Sequence, residues 1–250
     1  MKRFAFLRLG DWFIKHASVI ASALIVMLSE RTLYAPELLA TMVFSVAFFA
    51  YTFGLNYYVE RDVDSLVGKN RVAGVGRIEA TVLFGFLTAV MIGVPLAAGN
   101  HAALAIAVFS WLMSTCYSVK PFYWKARPVI SVVSQAVFLA VPQLWFFVVL
   151  AHLGGLTRIL YLSVWLFLLT AKGATIHQIL DYANDRDTNL QTFAVRYGMQ
   201  AAVVLTDAVV FALFALALAG LACFDYPLNA IVFLLVAFSN PRYRRAQTQR

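Results

Sequence analysis

Charge is what this sequence has least of. Only 13% of its 250 residues are charged while 62% are hydrophobic, and a water-soluble surface needs far more polar coverage than that. The composition therefore excludes an ordinary soluble domain and makes lipid the solvent. Linkers are missing too: apolar runs recur from residue 16 to residue 239 with no Ser- or Pro-rich stretch between them, so residues 1–250 are expected to form a single domain. Strand-like alternation is also absent. A run such as Ala201 to Cys223 must satisfy its backbone internally, which in lipid leaves a helix or a closed barrel, and the run length favours the helix. The basic residues at the start precede an apolar run, but no small-residue cleavage site follows it, so the segment is read as a span and not as a removed signal peptide.

What is present is a series of apolar runs of membrane-crossing length. A spanning helix needs about 20 mostly apolar residues, and such runs lie at roughly 12 to 29, 37 to 58, 78 to 98, 102 to 119, 129 to 152, 157 to 180, 200 to 223 and, shorter, 226 to 240. The fold class expected is all-α, a polytopic membrane helical bundle of about eight transmembrane helices.

A formal charge of +8 raises the question of nucleic acid, and the placement of the basic residues answers it. Lys2, Arg3 and Arg8 precede the first span; Arg61, Lys69, Arg71 and Arg77 follow the second; Lys120, Lys125 and Arg127 follow the fourth; Arg186 and Arg196 follow the sixth; Arg242, Arg244, Arg245 and Arg250 end the chain. The intervening loops hold little beyond Arg31 and Arg158. This alternation is the positive-inside pattern. It predicts a multi-pass protein with both termini cytoplasmic and no nucleic-acid partner. Cys116 and Cys223 then fall on opposite membrane faces, and no disulfide is expected between them.

The acids are few and not scattered. Of twelve Asp and Glu residues, six form two short clusters: Glu60, Asp62 and Asp64, then Asp181, Asp185 and Asp187. Each lies at the expected cytoplasmic end of an even-numbered span. Residues four apart share a helix face, so Asn56, Glu60 and Asp64 make one polar stripe, and His177, Asp181 and Asp185 another. Two such stripes can face each other across a bundle. Like charges at this spacing repel unless a cation neutralises them, and an oxygen-only set favours magnesium, which usually shares itself with substrate phosphates. The plainer reading, solvated loop acids balancing nearby Arg and Lys, fits one cluster better than two matched ones.

Basic and polar residues accompany both clusters: Lys69, Asn70 and Arg71 after the first, Arg186 and Arg196 after the second, and Lys120, Lys125 and Arg127 in the loop between. A diphosphate needs such donors beside its metal, although each residue taken singly also serves as an orientation signal. Lys172 lies inside the sixth span, where a charge is costly. It falls on nearly the opposite face from Asp181 unless Gly173 allows a bend, so structural pairing and catalysis both stay open. His177 shares the Asp181 face one turn deeper, where a structural hydrogen bond is favoured over proton removal from an acceptor.

With these residues in view, the sequence resembles the UbiA superfamily of intramembrane prenyltransferases. That family carries Asn-Asp-x-x-Asp-Arg-x-x-Asp after its second helix, then an Asn-Arg-Pro-like element, and Asp-x-x-x-Asp after its sixth, leading into Thr-x-x-Val-Arg-x-Gly. Asn56, Arg61 and Asp64 match the first, Asn70 and Arg71 the next, and Asp181, Asp185, Thr192, Val195, Arg196 and Gly198 the last two. Tyr117, Ser118, Pro121 and Lys125 resemble the family's Tyr-Ser-x-x-Pro-x-x-x-Lys stretch. There are departures: Tyr57 stands where Asp is usual, Glu60 replaces the first metal-binding Asp, Val72 the usual Pro, and Tyr123 a frequent Arg. The family typically has nine helices.

The resemblance implies a cavity open to lipid, in which magnesium bound by Glu60, Asp64, Asp181 and Asp185 carries the diphosphate of a polyprenyl donor, with Asn56 completing the catalytic set. Lys69, Asn70, Arg71, Tyr117, Lys120, Lys125, His177 and Arg196 are the implied substrate-binding residues. Ionisation of the allylic diphosphate and attack by a small acceptor, aromatic or otherwise, would follow. Tyr51, Phe53, Tyr57 and Tyr58 could face such a cation, but interface aromatics are more often packing residues. A terpene cyclase and a polyprenyl-phosphate phosphoribosyl transferase belong to the same superfamily. An ion-coupled transporter, the reading from another class, is disfavoured because both clusters lie at one membrane face and not at the midplane.

Overall fold

The computed structural model describes residues 9–66 and 75–224, with the backbone alone for residues 9–14, Asp64, Leu66 and Phe224. Among the described residues the regular structure is helical and contains no strand, so the all-α expectation is met. In chain order the helices are α1 (Leu9–Glu30), α2 (Ala35–Leu66), α3 (Arg77–Ala97), α4 (His101–Ser118), α5 (Pro128–Phe138), α6 (Val141–Leu150), α7 (Leu156–Leu180), α8 (Tyr182–Asp187), α9 (Phe193–Tyr197) and α10 (Met199–Phe224). Among the described residues, six segments are long and apolar enough to cross a membrane: Ala35–Val63, Arg77–Ala97, His101–Ser118, Pro128–Leu150, Leu156–Leu180 and Met199–Cys223. α1 covers the residues of the first expected span but is not among these six. The eighth, at 226 to 240, lies outside the described residues.

The expected span at 129 to 152 is two helices, α5 and α6, separated at Leu139 and Ala140. Pro142 is the physical reason. Its ring excludes the carbonyl four residues back, that of Phe138, and it has no N–H to give. α5 accordingly ends at Phe138, and Pro142 occupies the first turn of α6, where a missing N–H costs nothing.

The helices gather into two compact units, α1–α4 with α6 in one, and α5 with α7–α10 in the other. The first is organised by aromatic packing along α2. Phe44, Phe48 and Phe49 are fully buried with Phe146 and Phe147 of α6, and the Phe44 and Phe146 rings stack with centroids 4.0 Å apart. α4 turns a buried stripe of Ala103, Ala107, Ser110 and Ser114 inward, small residues that let helix backbones approach where lipid supplies no hydrophobic drive. Hydrogen bonds then tie α4 to α2: Ser114 Oγ donates to Thr52 Oγ1 at 2.8 Å, and Tyr51 Oη lies 3.0 Å from Thr115 Oγ1. Asn100 caps α4 by accepting from Ala103 N at 2.9 Å while its Nδ2 donates to the Val149 carbonyl.

In the second unit α7 packs along α10. Thr206 Oγ1 donates to Thr175 Oγ1 at 2.8 Å, and Tyr161 reaches across to donate to the Leu216 carbonyl at 3.0 Å. A side chain at Gly220 would collide with that Tyr161 hydroxyl, so glycine here is a requirement of close approach.

Candidate active site

α2 runs to Leu66, and its last turns carry Asn56, Glu60, Arg61, Asp62 and Asp64. Asn56 and Glu60 lie one turn apart, as their spacing requires, and Asn56 Nδ2 donates to Glu60 Oε2 at 3.0 Å. Tyr123, in the loop after α4, donates its hydroxyl to Glu60 Oε1 at 3.2 Å. Both carboxylate oxygens are thus held by neutral donors, and Glu60 is 8% exposed. Tyr123 gets there through unusual backbone: it has φ 38°, just after the cis Lys120–Pro121 peptide. A non-glycine residue in the left-handed region costs on the order of 1 kcal/mol or more, which its surroundings must offset.

Burial sorts the acids into two kinds. Asp62 and Asp187 are mostly exposed and lie beside their neighbours Arg61 and Arg186 at 3.5 and 3.9 Å. They are the solvated, charge-balancing acids of the plainer reading. Glu60 is an interior acid with organised partners. The Asp64 side chain, with Lys69, Asn70 and Arg71, lies outside the described residues.

In the second unit α7 ends at Leu180 and Asp181 is its C-cap, followed directly by α8. The stripe of His177, Asp181 and Asp185 is therefore not one straight helix face. The i to i−4 register nevertheless carries through: Asp181 N donates to the His177 carbonyl at 2.9 Å and Asp185 N to the Asp181 carbonyl at 2.8 Å. All three residues are half-buried. Arg196, on α9, is exposed. Lys172 is buried, and α7 runs unbroken through Gly173.

Of the remaining expected residues, Tyr117 is buried at the end of α4 with its ring 5.7 Å from that of Phe138. Lys120 is exposed, and Lys125 sits half-buried in a short 3-10 turn, Trp124–Ala126. Tyr51 and Tyr58 pack edge-on against Phe84, and the Arg61 guanidinium lies 4.6 Å over the Tyr58 ring. These are packing positions.

Among the described residues no three His, Cys, Asp or Glu side chains converge as a ready metal cluster. The donor set around Glu60 still fits a hard cation. It is made of oxygens, and Asn56 Oδ1 is buried without a hydrogen-bond partner because Asn56 spends its amide on Glu60. Ser118 Oγ and Thr192 Oγ1 are buried and unsatisfied as well. Such atoms are rare and cost about 1–3 kcal/mol each. Trp111 Nε1 and Gln143 Nε2 are in the same condition but lie outside the motifs, whereas Asn56, Ser118 and Thr192 fall in three separate ones.

Sequence reasoning noted Tyr123 only as a departure and passed over Gln178. The buried Gln178 donates to Ser131 Oγ at 2.9 Å and accepts from Ala194 N at 3.3 Å, joining α5, α7 and α9. Its one available signal was a polar residue inside an apolar helix beside the acidic motif.

Comparison with known proteins bears on this chemistry. No curated protein sequence matches the chain at a significant level. Among solved structures, a UbiA homolog from Archaeoglobus fulgidus bound to DMAPP and Mg2+ shares its fold with a TM-score of 0.75 at 16% identity, covering 100% of this chain and 85% of that one. The same homolog bound to GPP and Mg2+ gives 0.75 at 17%, with 100% and 86% covered. The apo structure of a UbiA homolog from Aeropyrum pernix K1 gives 0.72 at 18%, with 94% and 91% covered. The sequence profile of the UbiA prenyltransferase family matches residues 17–249, nearly the whole chain, so this integral membrane protein belongs to the UbiA prenyltransferase family.

Proposed function

We propose that the protein is a magnesium-dependent intramembrane transferase that moves a polyprenyl group from an allylic polyprenyl diphosphate to a small acceptor and releases diphosphate. The observation that carries this reading is the buried Glu60 carboxylate, held on both oxygens by neutral donors beside the unsatisfied Asn56 Oδ1. Family membership and the prenyl diphosphates and Mg2+ bound to the Archaeoglobus relative support it.

Glu60, Asp64, Asp181 and Asp185 would hold the metal, and Asn56 would orient Glu60 and offer its own oxygen. Magnesium, when bound there, supplies Lewis-acid neutralisation of the leaving diphosphate. Lys69, Asn70, Arg71, Tyr117, Lys120, Lys125 and Arg196 are assigned to the remaining diphosphate oxygens, as hydrogen-bond donors or positive charges. In the transfer, the bond between the allylic carbon and the diphosphate oxygen breaks with its electron pair going to diphosphate. The acceptor nucleophile forms the new bond to that carbon and loses a proton, for which His177, one turn before Asp181, is the candidate base. An active site toward the cytoplasmic face, with both termini on that side, belongs to the same proposal and rests on the basic loops.

The test is purified protein in detergent with magnesium, an allylic polyprenyl diphosphate and a panel of small acceptors. Pyrophosphate release that requires an acceptor supports the transferase. Release with no acceptor and a cyclic product would make the protein a cyclase. Consumption of phosphoribosyl diphosphate with the polyprenyl group left whole would make it a phosphoribosyl transferase. No cleavage across the panel, with labelled ions crossing proteoliposomes, would replace the proposal with a transporter.

A further inference from the structure

We propose that Ser118 is a metal ligand of the site, its hydroxyl oxygen joining Asn56 Oδ1 as a pair of neutral oxygens for the divalent cation, a role that rests on the magnesium-dependent reading above. The level of the two residues follows from the contacts around them. Ser114 Oγ meets Thr52 Oγ1 at 2.8 Å, 62 positions away in sequence. Tyr51 Oη meets Thr115 Oγ1 at 3.0 Å, 64 away, and Tyr123 Oη meets Glu60 Oε1 at 3.2 Å, 63 away. A separation that stays nearly constant from Tyr51 to Glu60 means that α2 runs side by side, and in the same direction, with α4 and the loop after it. Asn56 and Ser118 are also 62 positions apart. Asn56 lies one turn beyond Thr52 and one turn before Glu60, and Ser118 lies one turn beyond Ser114, so the pair falls at one level between two observed contacts.

No hydrogen bond joins them there. Asn56 Oδ1 and Ser118 Oγ are both buried without a partner, and Ser118 is 1% exposed. A serine or threonine inside a helix commonly falls back on the carbonyl four residues earlier. Ser110 donates in this way to the Ile106 carbonyl and Thr115 to that of Trp111, each at 2.8 Å, whereas the Ser118 hydroxyl leaves the Ser114 carbonyl alone. Two oxygens left open at one level of the acidic motif call for an occupant that binds oxygen. Their closure to solvent suits magnesium, which is held at about 2.1 Å from its oxygens, nearer than a hydrogen-bonded water at about 2.8 Å. Neutral oxygens also extend the ligand set without the repulsion that one more carboxylate would bring to Glu60.

The test compares Ser118→Ala and Ser118→Cys in detergent, both made in a parent carrying Cys116→Ser and Cys223→Ser so that any sulfur signal comes from position 118. Binding of Mn2+, a paramagnetic stand-in for magnesium, is followed by electron paramagnetic resonance in the presence of inorganic diphosphate. Ser118→Ala should weaken it by about 10-fold or more, since partners outside the ligand shell already contribute that much. Its melting temperature without metal should stay at or above the parent's, because a buried hydroxyl with no partner is removed. Ser118→Cys should lose Mn2+ to a similar extent and gain Cd2+, with a sulfur-to-cadmium charge-transfer band in the ultraviolet, because sulfur ligands favour soft cations over hard ones. Equal Mn2+ binding by Ser118→Ala and the parent overturns the ligand role alone. So does a Ser118→Cys protein that gives no such band with Cd2+, and so does a lower melting temperature for Ser118→Ala without metal, which would mark the hydroxyl as a structural bond. A parent that binds no Mn2+ with diphosphate overturns both this role and the magnesium-dependent reading beneath it.

Discussion

At the scale of the residue, exposure separates acids that the sequence presents as equivalent. Glu60 is interior and partnered, whereas Asp62 and Asp187 look outward beside arginines. Substitution should follow the same division. Under the proposed function, in which each would supply a charged oxygen to the metal, Asp64→Asn and Asp181→Asn are expected to lower turnover by about 100-fold or more. Both should leave the melting temperature in detergent at or above that of the parent, since removing one carboxylate relieves repulsion within the cluster. Near wild-type turnover in either variant would show that the two acidic motifs do not form a metal site. Asp62→Asn and Asp187→Asn, at exposed pairs worth at most about 1 kcal/mol, should change stability little.

At the scale of the element, unsatisfied or overlapping atoms set the cost of change. Gln178 joins three helices with one side chain, donating to Ser131 and accepting from Ala194 N. Gln178→Leu would leave those partners buried and unmatched, at about 1–3 kcal/mol. A thermal melt in detergent should show the loss, and the Arg196-bearing helix α9 should become more accessible to protease. Unchanged melting and proteolysis would remove Gln178 from any structural role. Gly220→Ala places a methyl group against the Tyr161 hydroxyl and should destabilise the protein by roughly 1–3 kcal/mol, as overpacking does. Tyr161→Phe in the same chain should recover part of that loss despite giving up the bond to Leu216. A melt in which the double variant is no more stable than Gly220→Ala would show that the clash is relieved some other way.

At the scale of the whole molecule, orientation is the property with functional consequence, because under the proposed function it would decide which compartment supplies the acceptor. The basic loops predict that Lys120, after the fourth span, faces the cytoplasm, and that Gly155, before α7, faces the opposite side. Cys116 and Cys223 are both free thiols, so they can be replaced by serine without breaking a disulfide. Single cysteines at positions 120 and 155 should then react with an impermeant maleimide from opposite sides of sealed vesicles. Labelling of position 155 from the cytoplasmic side would invert the topology and move the acidic motifs to the other face.

The sequence by itself determined the solvent, the helical class, the start and end of most helices to within a few residues, and the family, because run length, basic-loop alternation and motif spacing are all local along the chain. The i, i+4 relation of Asn56 and Glu60 was legible for the same reason: helix geometry fixes it. Only the tertiary structure decided that Pro142 divides the fifth span, that Asp181 ends α7 and does not continue it, and that Glu60 is buried while Asp62 is not. It alone brought Tyr123 onto Glu60 across 63 positions and Gln178 onto Ala194. Contacts between elements depend on how helices pack and on which loop backbone can be held at a costly φ, and no spacing along a single chain encodes either.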